Sequence, residues 1–124
     1  MRTTRSRQEF ADRRSLRMSE YGRAFESTVE GYLQKLLDFG QIKSFTRHPP
    51  RSPEDYGGRD FTVSKEVGGV SVERSFGVTI SIRSWNRGKR LHPAHPQFCF
   101  PIGTNKETIN RRILGLFKGL NNSH

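Results

Sequence analysis

Two alternating apolar segments on either side of Gly68-Gly69 limit the fold of this chain more than any other feature. In DFTVSKE, which lies before the two glycines, Phe61 and Val63 alternate with polar residues. A period of two is typical of a β-strand with one apolar and one polar face. Two consecutive glycines between such segments favour a tight hairpin turn. The pattern predicts that the strands VSVERSF and GVTISIRS follow this turn in the same sheet.

Helical periodicity flanks the predicted sheet on both sides. From Ser19 to Phe39, apolar residues recur every three or four positions, and Gly40 is a suitable C-terminal cap. Near the C-terminus, TNKETINRRILGLFKGL carries a similar stripe, and Thr104 with Glu107 has the spacing of a capping box. This order predicts an α/β (α+β) domain, in which a central mixed β-sheet is flanked by an N-terminal and a C-terminal helix.

The length of 124 residues suits one domain with one small core. We assign this domain to residues 19–120, with a short tail at 121–124. Residues 1–18 contain six Arg, among them Arg13 and Arg14, and few apolar positions that a core can use. We expect a mobile basic arm or a frayed helix there, which is either a solvated tail or a contact for phosphate groups.

The charge of the chain indicates its class of partner. Lys and Arg number 22 whereas Asp and Glu number 12, which gives a formal net charge of +10. A field of this sign attracts polyanions. Most of the basic residues are Arg, whose guanidinium binds phosphate in a bidentate manner and stacks on bases. The composition therefore favours nucleic acid over a lipid surface.

Cysteine content and hydropathy indicate the compartment. The single Cys99 excludes an internal disulfide, and no Cys-x-x-Cys pair indicates structural zinc. No apolar run approaches the roughly 18 residues of a membrane span. The basic N-terminus also lacks the apolar core of a signal peptide. We therefore expect an intracellular protein, either cytoplasmic or nucleoid-associated.

A basic segment around the single tryptophan is the candidate nucleic-acid interface. The sequence WNRGKRLHPAHP predicts a turn after the last strand of the hairpin sheet. Cations around an aromatic ring suit phosphate contacts combined with stacking on bases or sugars. A core tryptophan beside a solvated loop explains the pattern nearly as well. The candidate contact residues are Arg59, Arg83, Ser84, Trp85, Arg87, Lys89 and Arg90.

Two acidic residues have the placement that metal-assisted phosphodiester hydrolysis requires. Divalent ions such as Mg²⁺ prefer carboxylate oxygens that converge from several elements. Asp60 stands at the head of the first hairpin strand, and Glu26 lies on the first helix, within reach of the same end of the sheet. Arg83, near the end of the later strand, is the cation for the developing charge. Taken alone, an Asp at the start of a strand is more often a turn or cap residue.

The order GRAFESTVEGYLQKLLDFG, GGRDFTV and FGVTISIRS resembles the PD-(D/E)XK (restriction endonuclease-like) nuclease superfamily, most closely its archaeal Holliday junction resolvase-like branch. In that group a helix supplies a Glu, one strand supplies an Asp, and the next strand ends in Glu or Gln, any residue and Lys. The similarity covers about residues 20 to 90. It implies a restriction endonuclease-like fold and a structure-selective DNA endonuclease that uses Mg²⁺ or Mn²⁺. It also implies a homodimer, with an interface at the strand near Phe98 or at the last helix.

Carried over residue by residue, the resemblance assigns Glu26 to the helix Glu and Asp60 to the strand Asp. Arg83 takes the place of the Lys, and Ser84 that of the Ser that often follows it. Ser81 takes the place of the second acid, which is the main departure. A serine hydroxyl is a poor ligand for Mg²⁺ beside a carboxylate, and Arg does not lose a proton to become a base.

Two interpretations of the site follow from this departure. In the first, Glu73 on the intervening strand, or Glu30 one turn after Glu26, supplies the missing charge; Glu26, Asp60 and Glu73 then hold Mg²⁺ or Mn²⁺. In the second, catalysis is lost and the protein binds DNA or RNA, or acts in an assembly, with the same fold. A basic accessory protein that binds RNA or an acidic protein, unrelated to nucleases, is a third alternative.

Overall fold

The computed structural model describes residues 2–118, and it describes side chains from residue 20 onward except at position 56. No helix of these residues is long and apolar enough to cross a membrane. The elements are α1 (Arg2–Asp38), β1 (Ser44–Arg47), α2 (Pro53–Tyr56), β2 (Phe61–Val67), β3 (Val70–Thr79), α3 (Ile82–Leu91), β4 (Gln97–Cys99), α4 (Lys106–Leu114) and a 3₁₀ turn (Gly115–Phe117).

The four strands form one mixed sheet in the order β1-β2-β3-β4. The pairs β1-β2 and β2-β3 are antiparallel, whereas β3 and β4 are parallel and are connected through α3. Gly68 and Gly69 form the predicted hairpin turn with φ of +60° and +82°, which is the left-handed backbone that such turns use. The predicted mixed α/β architecture with a central mixed sheet is confirmed.

The core lies between one face of the sheet and the helices α1 and α4. Four phenylalanines run across this face with neighbouring ring centroids 5.5 to 5.7 Å apart: Phe61, Phe76, Phe98 and Phe100. The helices contribute Val29, Leu33, Ile109 and Ile113, all at most 1% exposed. Phe98 is 8% exposed, and the dimer interface expected near it stays a prediction. Its side chain is used by the core of its own chain.

The N-terminal helix is longer than predicted. We expected it to begin at Ser19, but α1 begins at Arg2 and ends at Asp38. Residues 2–21 contain no Gly or Pro, and Arg, Glu, Gln, Leu and Met among them are strong helix formers. The backbone of the Arg-rich segment therefore continues the helix, while the side chains of residues 1–19 lie outside the described part of the structure.

The end of the third strand is the largest difference from the prediction. Residues 70–84 were expected as strands, and the following basic segment as a turn. Instead, β3 ends at Thr79 and residues 82–91 form α3. The Oγ atom of Ser81 caps α3 by accepting a hydrogen bond from the Ser84 backbone N–H at 3.3 Å. A capping serine followed by ten residues without proline favours a helix over a continued strand.

The C-terminal helix begins one residue later than the predicted capping box. Asn105 is the N-cap, and its Oδ1 accepts a hydrogen bond from the Thr108 N–H at 2.8 Å. Thr104 instead donates its hydroxyl to the Pro101 carbonyl. The helix ends at Leu114 and a 3₁₀ turn follows to Phe117. The predicted continuation to residue 120 and the tail at 121–124 lie outside the described residues.

Gly77 allows the Gln97 side chain of β4 and the Gly58 carbonyl to lie close to the backbone of β3. A Cβ atom at Gly77 would lie 2.7 Å from the Gly58 carbonyl oxygen and would collide with the Gln97 amide. We therefore expect Gly77→Ala to lower the free energy of unfolding by about 2 kcal/mol, measured by urea denaturation. Gly31→Ala is the matched control, because a Cβ there meets no atom within 4 Å. This control is expected to be slightly stabilising, and equal destabilisation by both changes would contradict the prediction.

Candidate active site

Three carboxylates from three different elements converge at one end of the sheet. They belong to Glu26 of α1, Asp55 of α2 and Asp60, which directly precedes β2. One oxygen of each carboxylate lies within 4.8 Å of the others. The predicted pairing of Glu26 with Asp60 is therefore present, and Asp55 is the third acid. We call these three residues the acidic cluster.

Backbone hydrogen bonds hold Asp60 in place. Its N–H donates to the Phe76 carbonyl at 2.8 Å, and its own carbonyl accepts from the His48 N–H at 2.9 Å. Its Oδ2 atom accepts a hydrogen bond from the Val78 N–H at 2.8 Å. Asp60 thus satisfies a backbone donor of β3 close to the point where β2 begins. The other carboxylate oxygen of Asp60 takes no part in this hydrogen bond.

Local capping interactions position Asp55, which the sequence analysis missed. Ser52 is the N-cap of α2, and its Oγ accepts a hydrogen bond from the Asp55 N–H at 3.2 Å. The Asp55 carboxylate in turn accepts from the Arg51 N–H at 2.9 Å, and Arg51 adopts a left-handed φ of +66°. The sequence contains a helix-start pattern at this point, because Pro53 follows Ser52 and the acidic Asp55 lies three residues after Ser52. It lies in the segment HPPRSPEDYGG, whose three prolines and two glycines favour a loop without regular structure.

Arg47 of β1 lies between Glu26 and Glu30 and is ion-paired with both. Its guanidinium lies 3.6 Å from Glu26 and 3.6 Å from Glu30, and it donates a hydrogen bond to the Ser27 hydroxyl. The Glu26 side chain is 21% exposed, compared with 44% for Glu30. Glu30 therefore pairs with Arg47 at the surface, and it is not a member of the acidic cluster.

Burial raises the pKa of two carboxyl groups of the acidic cluster, Glu26 and Asp60, above the ordinary range. Burial raises the pKa of Asp60 to about 7, with a further increase from the neighbouring Glu26 and against the stabilising Val78 N–H. Burial also raises the pKa of Glu26, while its hydrogen bond with Asp60 and the Arg47 charge act in the opposite direction. Near neutral pH, Asp60 is thus partly protonated, and a bound cation would displace this proton.

An open cleft of about 530 Å³ lies beside the acidic cluster: Glu26 and Asp55 line it, whereas Asp60 is not among its lining residues. It is lined by Gly22, Arg23, Glu26, Pro50, Arg51, Asp55, Val78 and Thr79. The cations of this cleft are Arg23 and Arg51, and the sequence analysis did not single out either of them. The signal for Arg23 was available, since it lies three residues before Glu26 on the same predicted helix. The cleft therefore combines carboxylates with guanidinium groups, a suitable set for a phosphate and its counter-ion.

Two residues predicted for the site lie elsewhere. Glu73 is exposed and lies five residues before Val78 on β3, a separation of about 17 Å along a strand. It is therefore not a third ligand beside Asp60. Arg83 was expected at the end of a strand facing Asp60, but it is an exposed residue of α3 and does not line the cleft. The Ser81 hydroxyl caps α3 by accepting a hydrogen bond from the Ser84 N–H, and neither serine lines the cleft.

The candidate nucleic-acid contacts differ in their exposure. Most of them lie on α3, where the side chains of Arg83, Ser84, Arg87, Lys89 and Arg90 are exposed. Trp85 is half-buried, because its Nε1–H donates to the Gln97 carbonyl at 2.7 Å and Lys89 Nζ covers its ring at 3.4 Å. Arg59 is also half-buried, between the cluster acids in sequence, and its Nε is without a hydrogen-bond partner among the described residues. The side chains of Arg13 and Arg14 lie outside the described part.

No protein-family model matches the chain, and no curated protein and no solved structure is significantly similar to it. The resemblance to the PD-(D/E)XK superfamily therefore stays a prediction from the quoted motifs. The function has to follow from the acidic cluster, its cleft and the distribution of basic residues.

Proposed function

We propose that the protein hydrolyses phosphodiester bonds of nucleic acid, DNA rather than RNA, in the cleft beside the acidic cluster and with a divalent metal ion. The observation that carries this proposal is the convergence of Glu26, Asp55 and Asp60 from three elements in a chain of net charge +10. A strongly basic protein repels cations in general. The three carboxylates form a local region of negative charge within it, which favours a cationic ligand.

The residues of the cluster fit a hard divalent cation. All three donors are carboxylate oxygens, the ligands that Mg²⁺ and Mn²⁺ prefer. Glu26 and Asp60 repel each other when both are charged, which a cation relieves. Glu26, Asp55 and Asp60 would hold the ion, and a bound divalent ion would lower the pKa of a water ligand and polarise a phosphate.

The side chains of the cleft supply binding and orientation. Arg23 and Arg51 offer guanidinium donors to the non-bridging oxygens of a phosphodiester. The Arg51 backbone N–H fixes the Asp55 carboxylate, so the acid and the phosphate contact are positioned by the same residue. The Val78 N–H fixes Asp60 in a similar manner. These contacts orient a phosphate relative to the carboxylates before any reaction takes place.

The topology supports the proposal of a restriction endonuclease-like fold. The resemblance implies a Glu on a helix beside an Asp at the start of a strand, and Glu26 and Asp60 have this relation. The antiparallel β1-β2-β3 segment followed by a parallel β4 is compatible with a central mixed sheet of that fold. A homodimer for this fold rests on the resemblance alone, and the last helix is the interface that we propose for it.

One observation favours a second candidate, a nucleic-acid-binding protein without catalysis. In the superfamily that the chain resembles, the strand that corresponds to β3 supplies an acid and a Lys. Ser81 and Arg83, which take these two places, lie beyond the end of β3 at Thr79 and do not line the cleft. Asp55 alone therefore replaces the strand acid in the first candidate. In the second candidate nothing replaces it.

A cleavage assay distinguishes the two candidates. Labelled four-way junction, linear duplex, single-stranded DNA and RNA are incubated with the protein in Mg²⁺, in Mn²⁺ and in EDTA. The first candidate requires cleavage of a DNA substrate with either metal and none in EDTA. Binding of DNA without cleavage under all conditions supports the second candidate. Cleavage that persists in EDTA overturns the metal-dependent proposal.

A further inference from the structure

Helix α3 carries three arginines on one face. Arg83, Arg87 and Arg90 are spaced four and three residues apart, which places them on the same side of an α-helix. All three are exposed, and none is ion-paired with an acidic group of the described residues. The helix itself contains no acidic residue. We call these three residues the arginine face.

The opposite side of α3 attaches the helix to the sheet. Trp85 donates a hydrogen bond to the Gln97 carbonyl at 2.7 Å, and Gly88 leaves space for the Gln97 side chain. Gln97 and Gly77 alternate along their strands with the core residues Phe98 and Phe76, so α3 lies on the sheet face that is turned away from the core. The arginine face is about 180° around the helix from Trp85 and Gly88. It therefore points away from the protein.

We propose that α3 docks on duplex nucleic acid, with the arginine face against the phosphates that border one groove. This inference rests on the proposed function for its nucleic-acid partner, and it adds the substrate class. Helix α3 has ten residues and is therefore about 15 Å long. The major groove of B-DNA is wide enough to admit an α-helix. The docking surface is separate from the acidic cleft, since no residue of α3 lines that cleft.

The surroundings of Trp85 favour a duplex over a single strand. Binding of single strands without sequence preference relies on exposed aromatic rings that stack on unpaired bases. Trp85 is the aromatic residue of α3, but Lys89 Nζ covers its ring at 3.4 Å and its N–H is occupied. The arginine face thus offers phosphate contacts without a stacking platform, which suits the regular backbone of a duplex.

Fluorescence anisotropy with labelled duplex and single-stranded DNA of the same sequence, in EDTA and over a range of KCl concentrations, tests this proposal. The triple variant Arg83→Gln, Arg87→Gln, Arg90→Gln is compared with a control triple variant that loses the same charge at exposed positions away from α3. The control substitutions are Lys35→Gln, Lys43→Gln and Lys118→Gln. Wild-type protein should prefer the duplex. The arginine variant should bind it at least about tenfold more weakly, with a salt slope reduced by up to about 2.7.

The control variant should lose less than about threefold in duplex affinity, because only the general field changes. Equal losses in both variants, or a preference of the wild type for single strands, overturn the proposal. So does tighter binding to vesicles of phosphatidylserine and phosphatidylcholine than to duplex. Duplex binding through α3 without cleavage in metal sustains this inference and removes the hydrolytic function. Metal-dependent cleavage that is unchanged in the arginine variant overturns this inference and sustains the hydrolytic function.

Discussion

Asp60→Asn is expected to reduce metal-dependent cleavage of DNA at least about 100-fold while leaving DNA affinity in EDTA within about twofold of the wild type. The substitution removes one of the three negative charges of the acidic cluster. It keeps the fold, because the Asn side-chain oxygen still accepts the hydrogen bond from the Val78 N–H. Initial cleavage rates at saturating substrate, together with anisotropy in EDTA, measure the two effects separately.

Glu73→Gln is the matched control for Asp60→Asn. It removes the same charge from an acidic residue that the sequence suggested as a ligand, but this residue is exposed and about 17 Å along β3 from the cluster. We expect its cleavage rate to stay within about twofold of the wild type. Equal losses in the two variants would indicate a general electrostatic effect. Unchanged cleavage by Asp60→Asn would locate the reaction outside the acidic cluster.

The parts of the fold that the sequence predicts are those in which a local pattern and tertiary packing agree. The alternation around Phe61 and Val63 and the left-handed turn at Gly68 both act over a few residues, and the hairpin formed as expected. Glu26 and Asp60 were also paired correctly. One is on a helix and the other at the start of a strand, and the packing of α1 on the sheet brings both to the same end.

The predictions that failed are those in which the local pattern was ambiguous. Val78, Ile80 and Ile82 alternate as in a strand, yet the single hydroxyl of Ser81 ends the strand and caps α3. Arg83 consequently moved from the site to the surface. Asp55 was missed because its position near Asp60 depends on the turn at Arg51. Hydrophobic periodicity does not predict such a turn. Both errors concern short hydrogen-bonded caps that redirect the chain beside the cluster.

The acidic cluster is expected to make the metal-free protein less stable as the pH rises from about 4 to about 7. The folded-state pKa of Asp60 is about 7, whereas its ordinary value is 3.8. The folded chain therefore binds more protons than the unfolded chain in this range, so its stability is fully present below pH 4 and is lost as the pH passes through 7. At 1.36 kcal/mol per pKa unit, the expected loss is roughly 2 to 4 kcal/mol. The raised pKa of Glu26 contributes in the same direction.

Asp60→Asn isolates this effect from the titration of all other groups. The free energy of unfolding of the variant minus that of the wild type should rise between pH 4 and pH 7 and then stay constant, as measured by urea denaturation in EDTA. Mg²⁺ or Mn²⁺ should reverse the loss, since a cation binds the ionised cluster and stabilises the folded wild type above pH 7. It should have little effect on the variant, or on the wild type below pH 5, where protons occupy the carboxylates. A difference between the two proteins that is constant with pH would show that Asp60 ionises normally. A metal ion that binds the acidic cluster would then relieve no repulsion between its carboxylates.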